Sequence, residues 1–202
     1  MMPPVAALAD AGALVPGAAI HHIAGPFVLC GPAYTVALPV GDNLGLHLAV
    51  VWAKPGDVLV ATMGEEEYGP WGDILSAAAM AAGLAGLVDN GYVRDATAIN
   101  ACGFPVFARG VALRNTVKAD PGRHGVPVSI AGVEVSPGDI VVGDEDGLVV
   151  VPSARYTQVL TRAHEIVAGE EALRVSVAGG RTTIELLGLE EVERNVRHTE
   201  KP

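Results

Sequence analysis

Three places in this sequence set charged side chains against a framework of small apolar residues. At Gly72-Asp73-Ile74-Leu75 a glycine-bearing loop, Met63–Gly72, runs into an apolar stretch of helical character. The first-turn N–H groups of a helix lack intrahelical acceptors and lie at the positive end of its dipole, so the Ile74 and Leu75 amides suit a carboxylate. Asp73 at that junction reads either as a plain N-cap or as part of such a site. At Tyr92-Val93-Arg94-Asp95 a charged pair follows a buried apolar run and an Asn90-Gly91 turn. Ends of strands that lead into helices are where α/β proteins place ligands. Arg94 can grip a carboxylate with two parallel donors, and Asp95 offers hard oxygen ligands to Mg²⁺ or Mn²⁺. The same two residues also suit a structural ion pair followed by a helix cap. The third place, Asp144-Glu145-Asp146, reads as hairpin-turn chemistry.

Other chemistries lack their markers. The histidines (His21, His22, His47, His124, His164, His198) match no metal-ligand spacing, no G-x-S-x-G nucleophile elbow occurs, and neither nucleotide-binding glycine fingerprint is present. Cys30 and Cys102 stand far apart, outside any CxxC, and read as small buried hydrophobes rather than a disulfide or zinc site. The Glu65–Glu67 run beside Asp73 reads as a solvated loop face.

The elements that position these residues follow from pattern. Ala6–Leu14 is weakly helical, and Phe27–Val36 is a strand signal broken by Gly31-Pro32. Leu44–Trp52 reads as a helix, and Pro55-Gly56-Asp57 turns into the strand Val58–Thr62. Asp73–Ala82 is apolar on every face, which predicts a buried helix with Asp73 as its N-cap. Leu84–Val88 reads as a buried strand, and Asp95 as the cap of a helix over Ala96–Cys102 that Gly103 ends in a left-handed turn. Val106–Ala108 is a strand, and Ile140–Val142 pairs through Asp146-Gly147 with Leu148–Val151. Ser153 opens a long helix to about Val177. Thr182–Leu189 is expected to pack on a neighbour, and Glu190–Pro202 to form a charged, mobile tail. Mixed helices and strands joined by hairpins predict α/β layers with a mixed sheet, not a doubly wound nucleotide fold.

At 202 residues and 50% hydrophobic composition, the chain suits one domain with an appended helical tail. Only 4% of residues are aromatic, so the core is built from Ala, Val, Leu and Gly. A formal net charge of -10 disfavours nucleic acid and anionic membranes as partners. A small anion is still accessible, because one nearby arginine or a bound cation outweighs distant surface charge. The start, Met1-Met2-Pro3-Pro4, shows no signal peptide, and no apolar run is long enough to span a bilayer, so cytoplasmic residence is the expectation.

Asp73, twenty residues, then Arg94-Asp95 gives the pattern D-x20-R-D. Around it lie Gly31-Pro32-Ala33-Tyr34-Thr35-Val36, Asp42-Asn43-Leu44, Lys54-Pro55-Gly56-Asp57 followed by Val58-Leu59-Val60, the block from Gly103 to Gly110, and Pro137-Gly138-Asp139 through Asp146-Gly147. In order and over about residues 25–152, these blocks resemble the RraA-like family. That family includes 4-hydroxy-4-methyl-2-oxoglutarate/4-carboxy-4-hydroxy-2-oxoadipate aldolases and RraA, a regulator of ribonuclease activity. The resemblance implies an αββα-type sandwich with mixed sheets, like the swivelling phosphohistidine domain, in homotrimers or homohexamers. It implies a core over residues 1–152, with residues 153–202 packing at a subunit interface.

Carried over, the resemblance makes Asp95 the ligand of a divalent metal (Mg²⁺ or Mn²⁺), partly through water. Arg94, with Gly72 and the amides of Ile74 and Leu75, would hold the substrate carboxylate, and Asp73 would orient water. A neighbouring subunit's glutamate, Glu170 or Glu171, would reach the site. The implied reaction is cleavage of a 4-hydroxy-2-oxo acid to pyruvate through a metal-stabilised enolate, with oxaloacetate decarboxylation as a side activity. The alternative is a non-catalytic RraA-like regulator whose acidic surface docks on basic segments of a ribonuclease assembly. Methyltransferase, an older label in the family, has no glycine fingerprint to support it. Two departures stand out: Ala98 occupies a position that is acidic in the aldolases, and Asn90 replaces a customary aspartate, a change expected to affect only its turn.

Overall fold

The computed structural model describes residues 2–64 and 66–199. In chain order its elements are α1 (Val5–Asp10), β1 (His21–Ala24), β2 (Leu29–Ala37), α2 (Leu44–Trp52), β3 (Val58–Thr62), α3 (Asp73–Ala81), β4 (Gly86–Asp89), β5 (Tyr92–Val93), α4 (Ala96–Cys102) and β6 (Val106–Ala108). There follow β7 (Gly110–Val111), β8 (Arg123–His124), β9 (Val128–Ile130), β10 (Val133–Val135), β11 (Ile140–Asp144), β12 (Gly147–Val151), a 3₁₀ turn at Ser153–Arg155, α5 (Tyr156–Ala178), α6 (Thr183–Leu187) and α7 (Glu190–Thr199).

The main sheet runs β1-β6-β4-β3-β2-β11-β12, with β8 also pairing β2. Strands β2, β3, β4 and β6 are mutually parallel, whereas β1, β8, β11 and β12 join antiparallel, so the sheet is mixed as expected. The long β2 carries the fold: its second half pairs β3 while its first half pairs β11.

Three apolar clusters separate four layers. Leu46, Ala49, Leu75, Ala79 and Ile99 from α2, α3 and α4 pack on Val36, Leu59, Leu87 and Val106 of the sheet. Leu29, Val60, Val88 and Phe107 meet Val141, Leu148 and Val150 across the curl of the sheet, with the β9–β10 hairpin closing that cluster. Val142, Val149 and Val151 turn the other way, onto Val5 and Leu8 of α1 and Val159 and Ala163 of α5. Period-two alternation lets one strand serve two clusters, and the small side chains permit the close layers. The sequence of layers is helix, sheet, sheet, helix.

Several expectations need correction. Helix α1 is shorter than Ala6–Leu14, because Gly12 takes a left-handed φ of +99°. Helix α3 is not buried all round: Leu75, Ser76 and Ala79 are, but Ile74 is 73% exposed and Met80 44%. Its outer face is apolar and open. Ser153 opens a 3₁₀ turn, and its N–H donates to Asp139 Oδ1 (2.9 Å) while α5 begins only at Tyr156. Residues 190–199 form a helix with a Glu193–Arg197 pair at 2.6 Å, where a mobile tail was expected; residues 200–202 lie outside the described residues. Cys30 and Cys102 are free thiols and half-buried rather than fully buried. No helix among the described residues is long and apolar enough to cross a membrane.

Asp89, at the end of β4, is fully buried; its Oδ1 accepts from Gly91 N–H at 2.8 Å, and among the described residues no partner reaches Oδ2. Burial raises its carboxyl from an ordinary 3.8 to about 7, against the lowering effect of the Gly91 bond. A folded value above the unfolded one means the native state binds the extra proton, so this residue costs stability progressively as pH rises from about 4 to about 7. The full cost is on the order of 4 kcal/mol. Asp89→Asn cannot ionise and keeps an acceptor for Gly91. In chemical denaturation its stability gain over wild type should grow between pH 4.5 and pH 8; parallel pH curves would refute this account.

Candidate functional site

The turn after β4 places Arg94 and Asp95. Asn90 N–H donates to Ala61 O (2.9 Å), and Arg109 donates to both Asn90 O (2.8 Å) and Asn90 Oδ1 (3.1 Å). Asn90 Oδ1 also accepts from Ala131 N–H at 2.9 Å. The expectation that Asn90 affects only its turn is therefore too narrow, since it ties the turn to β6 and the β9–β10 hairpin. Next, Val93 bridges Trp71, and Arg94 N–H donates to Trp71 O at 2.8 Å.

Asp95 then takes φ +58° and ψ +32°. Left-handed backbone in a residue other than glycine is uncommon, although aspartate tolerates it better than most. Asp95 does occupy the N-cap position of α4, and its carbonyl accepts from Ile99 N–H (3.0 Å), but its side chain caps nothing. The carboxylate turns back instead, and Oδ2 lies 3.4 Å from Arg94 Nε with both side chains 40% exposed. Arg94 Nη1 donates to Asn115 Oδ1 at 3.0 Å.

The facing wall is the start of α3. Gly72, not Asp73, is the N-cap residue. Asp73 belongs to the first turn, and its Oδ1 accepts from Ile74 N–H at 2.8 Å. The Ile74 amide is thus engaged, while the Leu75 amide lies too early in the helix for an intrahelical carbonyl. Buried Trp71 fixes this corner: Nε1 donates to Ser76 Oγ (2.7 Å), Ser76 Oγ donates to Gly72 O (3.0 Å), and the indole stacks on Phe104 at 5.8 Å. Gly72 is required for space rather than for φ, because a Cβ there would sit 2.5 Å from Asp95 Oδ2.

Gly72, Asp73, Ile74, Leu75, Arg94 and Asp95 line one cavity of about 220 Å³. All six residues singled out from the sequence thus share one space. Four further lining residues, Asn43, His47, Pro70 and Lys118, were not singled out as site residues. Asp42 brings them in. Its carboxylate accepts from Leu44 N–H (2.9 Å), Ala119 N–H (2.8 Å) and Asp120 N–H (2.9 Å), which draws residue 118 to the mouth of α2. Burial alone would raise the Asp42 carboxyl, but those three donors and the Lys118 charge leave it below its ordinary value. Asn43 Nδ2 donates to Pro70 O at 2.7 Å, and Asn43 Oδ1 is buried without a partner. Burial, then the Lys118 charge, lowers the His47 imidazole below its ordinary value. Arg94, Lys118 and the start of α3 therefore set positive poles in a cavity that Asp73 and Asp95 line with negative ones, in a chain of net charge -10.

The other sequence candidates lie elsewhere. Asp144 is structural, accepting from Val5 N–H (2.8 Å) and Asp146 N–H (2.9 Å). Glu66 pairs with Arg114 at 3.2 Å, and Glu65 lies outside the described residues. Glu170 and Glu171 are exposed on α5 and both pair with Arg174, at 3.0 and 2.9 Å. Among the described residues no group of three or more His, Cys, Asp or Glu is placed to hold a metal ion.

Comparison with known proteins agrees with this architecture. The family described as RraA-like (Aldolase/RraA) matches residues 5–150. A Halalkalibacterium halodurans protein named "Putative 4-hydroxy-4-methyl-2-oxoglutarate aldolase" is 40% identical over 143 residues, 70% of this chain and 68% of that one. The RNA-processing inhibitor RraA from Thermus thermophilis superposes with a TM-score of 0.69 at 26% identity, covering 75% of this chain and 94% of that chain. A structure from Geobacillus kaustophilus described as an S-adenosylmethionine:2-dimethylmenaquinone methyltransferase gives 0.67 at 30% identity, covering 74% and 94%.

The left-handed backbone at Asp95 has a measurable signature. Glycine removes its steric cost, and no capping bond is lost. Asp95→Gly should be at least as stable as wild type in urea denaturation, and Asp95→Val less stable by about 2 kcal/mol. A loss above about 1 kcal/mol in the glycine variant would mean that the Asp95 side chain is held for stability.

Proposed function

The chain belongs to the RraA-like family, and on that basis we propose that it is a divalent-metal-dependent lyase. In this reading it cleaves 4-hydroxy-2-oxo acids, of the 4-hydroxy-4-methyl-2-oxoglutarate or 4-carboxy-4-hydroxy-2-oxoadipate type, to pyruvate. The observation that carries it is Arg94 and Asp95, 3.4 Å apart, lining one cavity with the first turn of α3.

The donor set fits Mg²⁺ or Mn²⁺ and not a closed zinc site. Two carboxylates, Asp73 and Asp95, line the cavity, and Asp95 stands beside a glycine whose missing Cβ leaves it room. Hard cations that keep several waters are held by one or two carboxylates together with the substrate. A cation bound there supplies Lewis-acid stabilisation of the negative charge that develops on a 2-oxo acid when its C–C bond breaks. Oxaloacetate decarboxylation develops the same charge, which makes it the expected side activity.

The chain's own groups do the rest. Arg94 holds the substrate carboxylate through its guanidinium, and the Leu75 amide donates from the other wall. The Ile74 amide joins once Asp73 releases it, and the freed Asp73 carboxylate is then available to orient water over the reacting carbon. Lys118 supplies a second positive pole, which suits a substrate with two carboxylates. These contacts keep the substrate and the oriented water in line, which is where much of the rate gain of such sites originates.

We also infer a homo-oligomer, trimer or hexamer, with residues 153–202 at a subunit interface. The open apolar face of α3 supports it, as do exposed Leu173, Val175 and Val177 on α5 and Leu187 on α6. A glutamate of a neighbouring α5, Glu170 or Glu171, would complete the site. The second reading is a non-catalytic regulator of ribonuclease, favoured by the likeness to the Thermus inhibitor and by the net charge of -10. The methyltransferase description of the Geobacillus protein is not carried over, since this sequence has no nucleotide-binding glycine fingerprint.

Pyruvate release from 4-hydroxy-4-methyl-2-oxoglutarate and from oxaloacetate separates these readings. Turnover with Mg²⁺, its loss in EDTA, and a fall of at least about a hundredfold in Asp95→Ala are expected. Absence of metal-dependent turnover of both compounds would leave the regulator as the better reading.

A further inference from the structure

Arg94 and Asp95 are adjacent opposite charges whose side chains meet, and such a pair ordinarily closes into a two-point contact with N–O distances near 2.8 Å. Here it does not close. The Arg94–Asp95 ion pair lies at 3.4 Å, from Nε to Oδ2, and the nearer partner of the guanidinium is Asn115 Oδ1 at 3.0 Å from Nη1. A neutral amide oxygen on a distant loop thus competes with a carboxylate on the next residue.

Asn115 is exposed, yet its backbone is braced from both sides. Gly69 N–H donates to Arg114 O at 3.0 Å, while Val117 exchanges bonds with Gly41 O (2.9 Å) and Asn43 N–H (3.0 Å). The Arg114 side chain lies over the Tyr68 ring at 4.1 Å and pairs with Glu66, anchoring the same segment to the loop before α3. The backbone that carries the Asn115 amide is therefore held in place, and the planar guanidinium with its rigidly forked donors meets that amide at 3.0 Å.

We propose that Asn115 is a positioning residue that keeps the Arg94 guanidinium from closing onto Asp95. It leaves one charge available to an anionic ligand and the other to a cation. The inference rests on the ligand assignments given under the proposed function, and it adds a residue with no place in the D-x20-R-D pattern. When the amide is removed, Arg94 rotates into a two-point pair with Asp95, and both ligands lose affinity together.

The test is titration calorimetry of metal-stripped protein with Mn²⁺ alone, then with pyruvate at saturating Mn²⁺. Asn115→Ala should weaken both by about five- to tenfold, the net size of one ordinary hydrogen bond, as suits an exposed contact. Asn115→Gln keeps a neutral amide acceptor for Nη1 and should stay within about twofold of wild type. Arg94→Ala should abolish pyruvate binding without weakening Mn²⁺, since it removes the cation that competes at Asp95. The Arg94→Ala/Asn115→Ala double variant should match Arg94→Ala for Mn²⁺, because the amide acts only through the guanidinium. A crystal structure of Asn115→Ala should show two guanidinium nitrogens of Arg94 on the two carboxylate oxygens of Asp95, a readout that needs no ligand. Unchanged affinities in Asn115→Ala, or an equal Mn²⁺ loss on the Arg94→Ala background, would overturn the positioning role alone. Pyruvate binding that survives Arg94→Ala would overturn the functional reading beneath it.

Discussion

Two opposite charges on consecutive residues can serve two ligands only if something prevents them from neutralising each other. In most helices or strands the side chains of residues i and i+1 diverge, and the question does not arise. Here the left-handed turn at Asp95 swings its carboxylate back over Arg94, which brings both into one cavity and creates the hazard of closure at the same step. The surrounding elements manage that geometry. Arg94 is held through its own N–H on Trp71 O, Gly72 clears space for Asp95 Oδ2, and α3 faces the pair with its first turn.

The support is polar and largely buried, which explains why the loop before α3 can be irregular yet fixed. Trp71, Ser76 and Gly72 form a short hydrogen-bonded relay under the cavity floor. Asp42 does the corresponding work on the other wall, binding three backbone donors across more than seventy residues of chain. Each relay satisfies groups that would otherwise be stranded in a low-dielectric interior, so each is tightly specified. The two buried oxygens that remain without partners close to this frame, on Asn43 and Asp89, are its weakest points energetically.

Local pattern made much of this legible, and its failures share a cause. The strands at Val58–Thr62 and Val106–Ala108 and the helices at Leu44–Trp52 and Ala96–Cys102 lie where apolar runs and turn residues put them. The cavity-lining residues 72–75, 94 and 95 were legible because each sits at a junction between elements. Lys118 and His47, which line the cavity, and Asn115, which meets Arg94, were not, since pairings between distant segments bring them there and leave no local periodicity. The Asp73 cap was misassigned by one position because aspartate suits the N-cap and the first turn almost equally, and only Gly72's extended backbone decides between them. The α3 error is of another kind. An all-apolar helix was read as buried in its own chain, whereas its outer face is open.

That open face bears on the chemistry as well as on assembly. Ile74 lines the cavity and is 73% exposed, so the apolar face of α3 and the mouth of the cavity are one continuous surface. In a single chain the Arg94 and Asp95 side chains are 40% exposed, and water screens most of their attraction for a ligand. A second subunit seated on α3 would remove that water from one side. The same guanidinium and carboxylate would then act in a medium of lower effective dielectric, where each fixed charge counts for several times more. It would also relieve the exposed Ile74 and Met80. Burial of an apolar helix face and strengthening of an ionic cavity are usually separate demands on a fold, and here one contact would meet both.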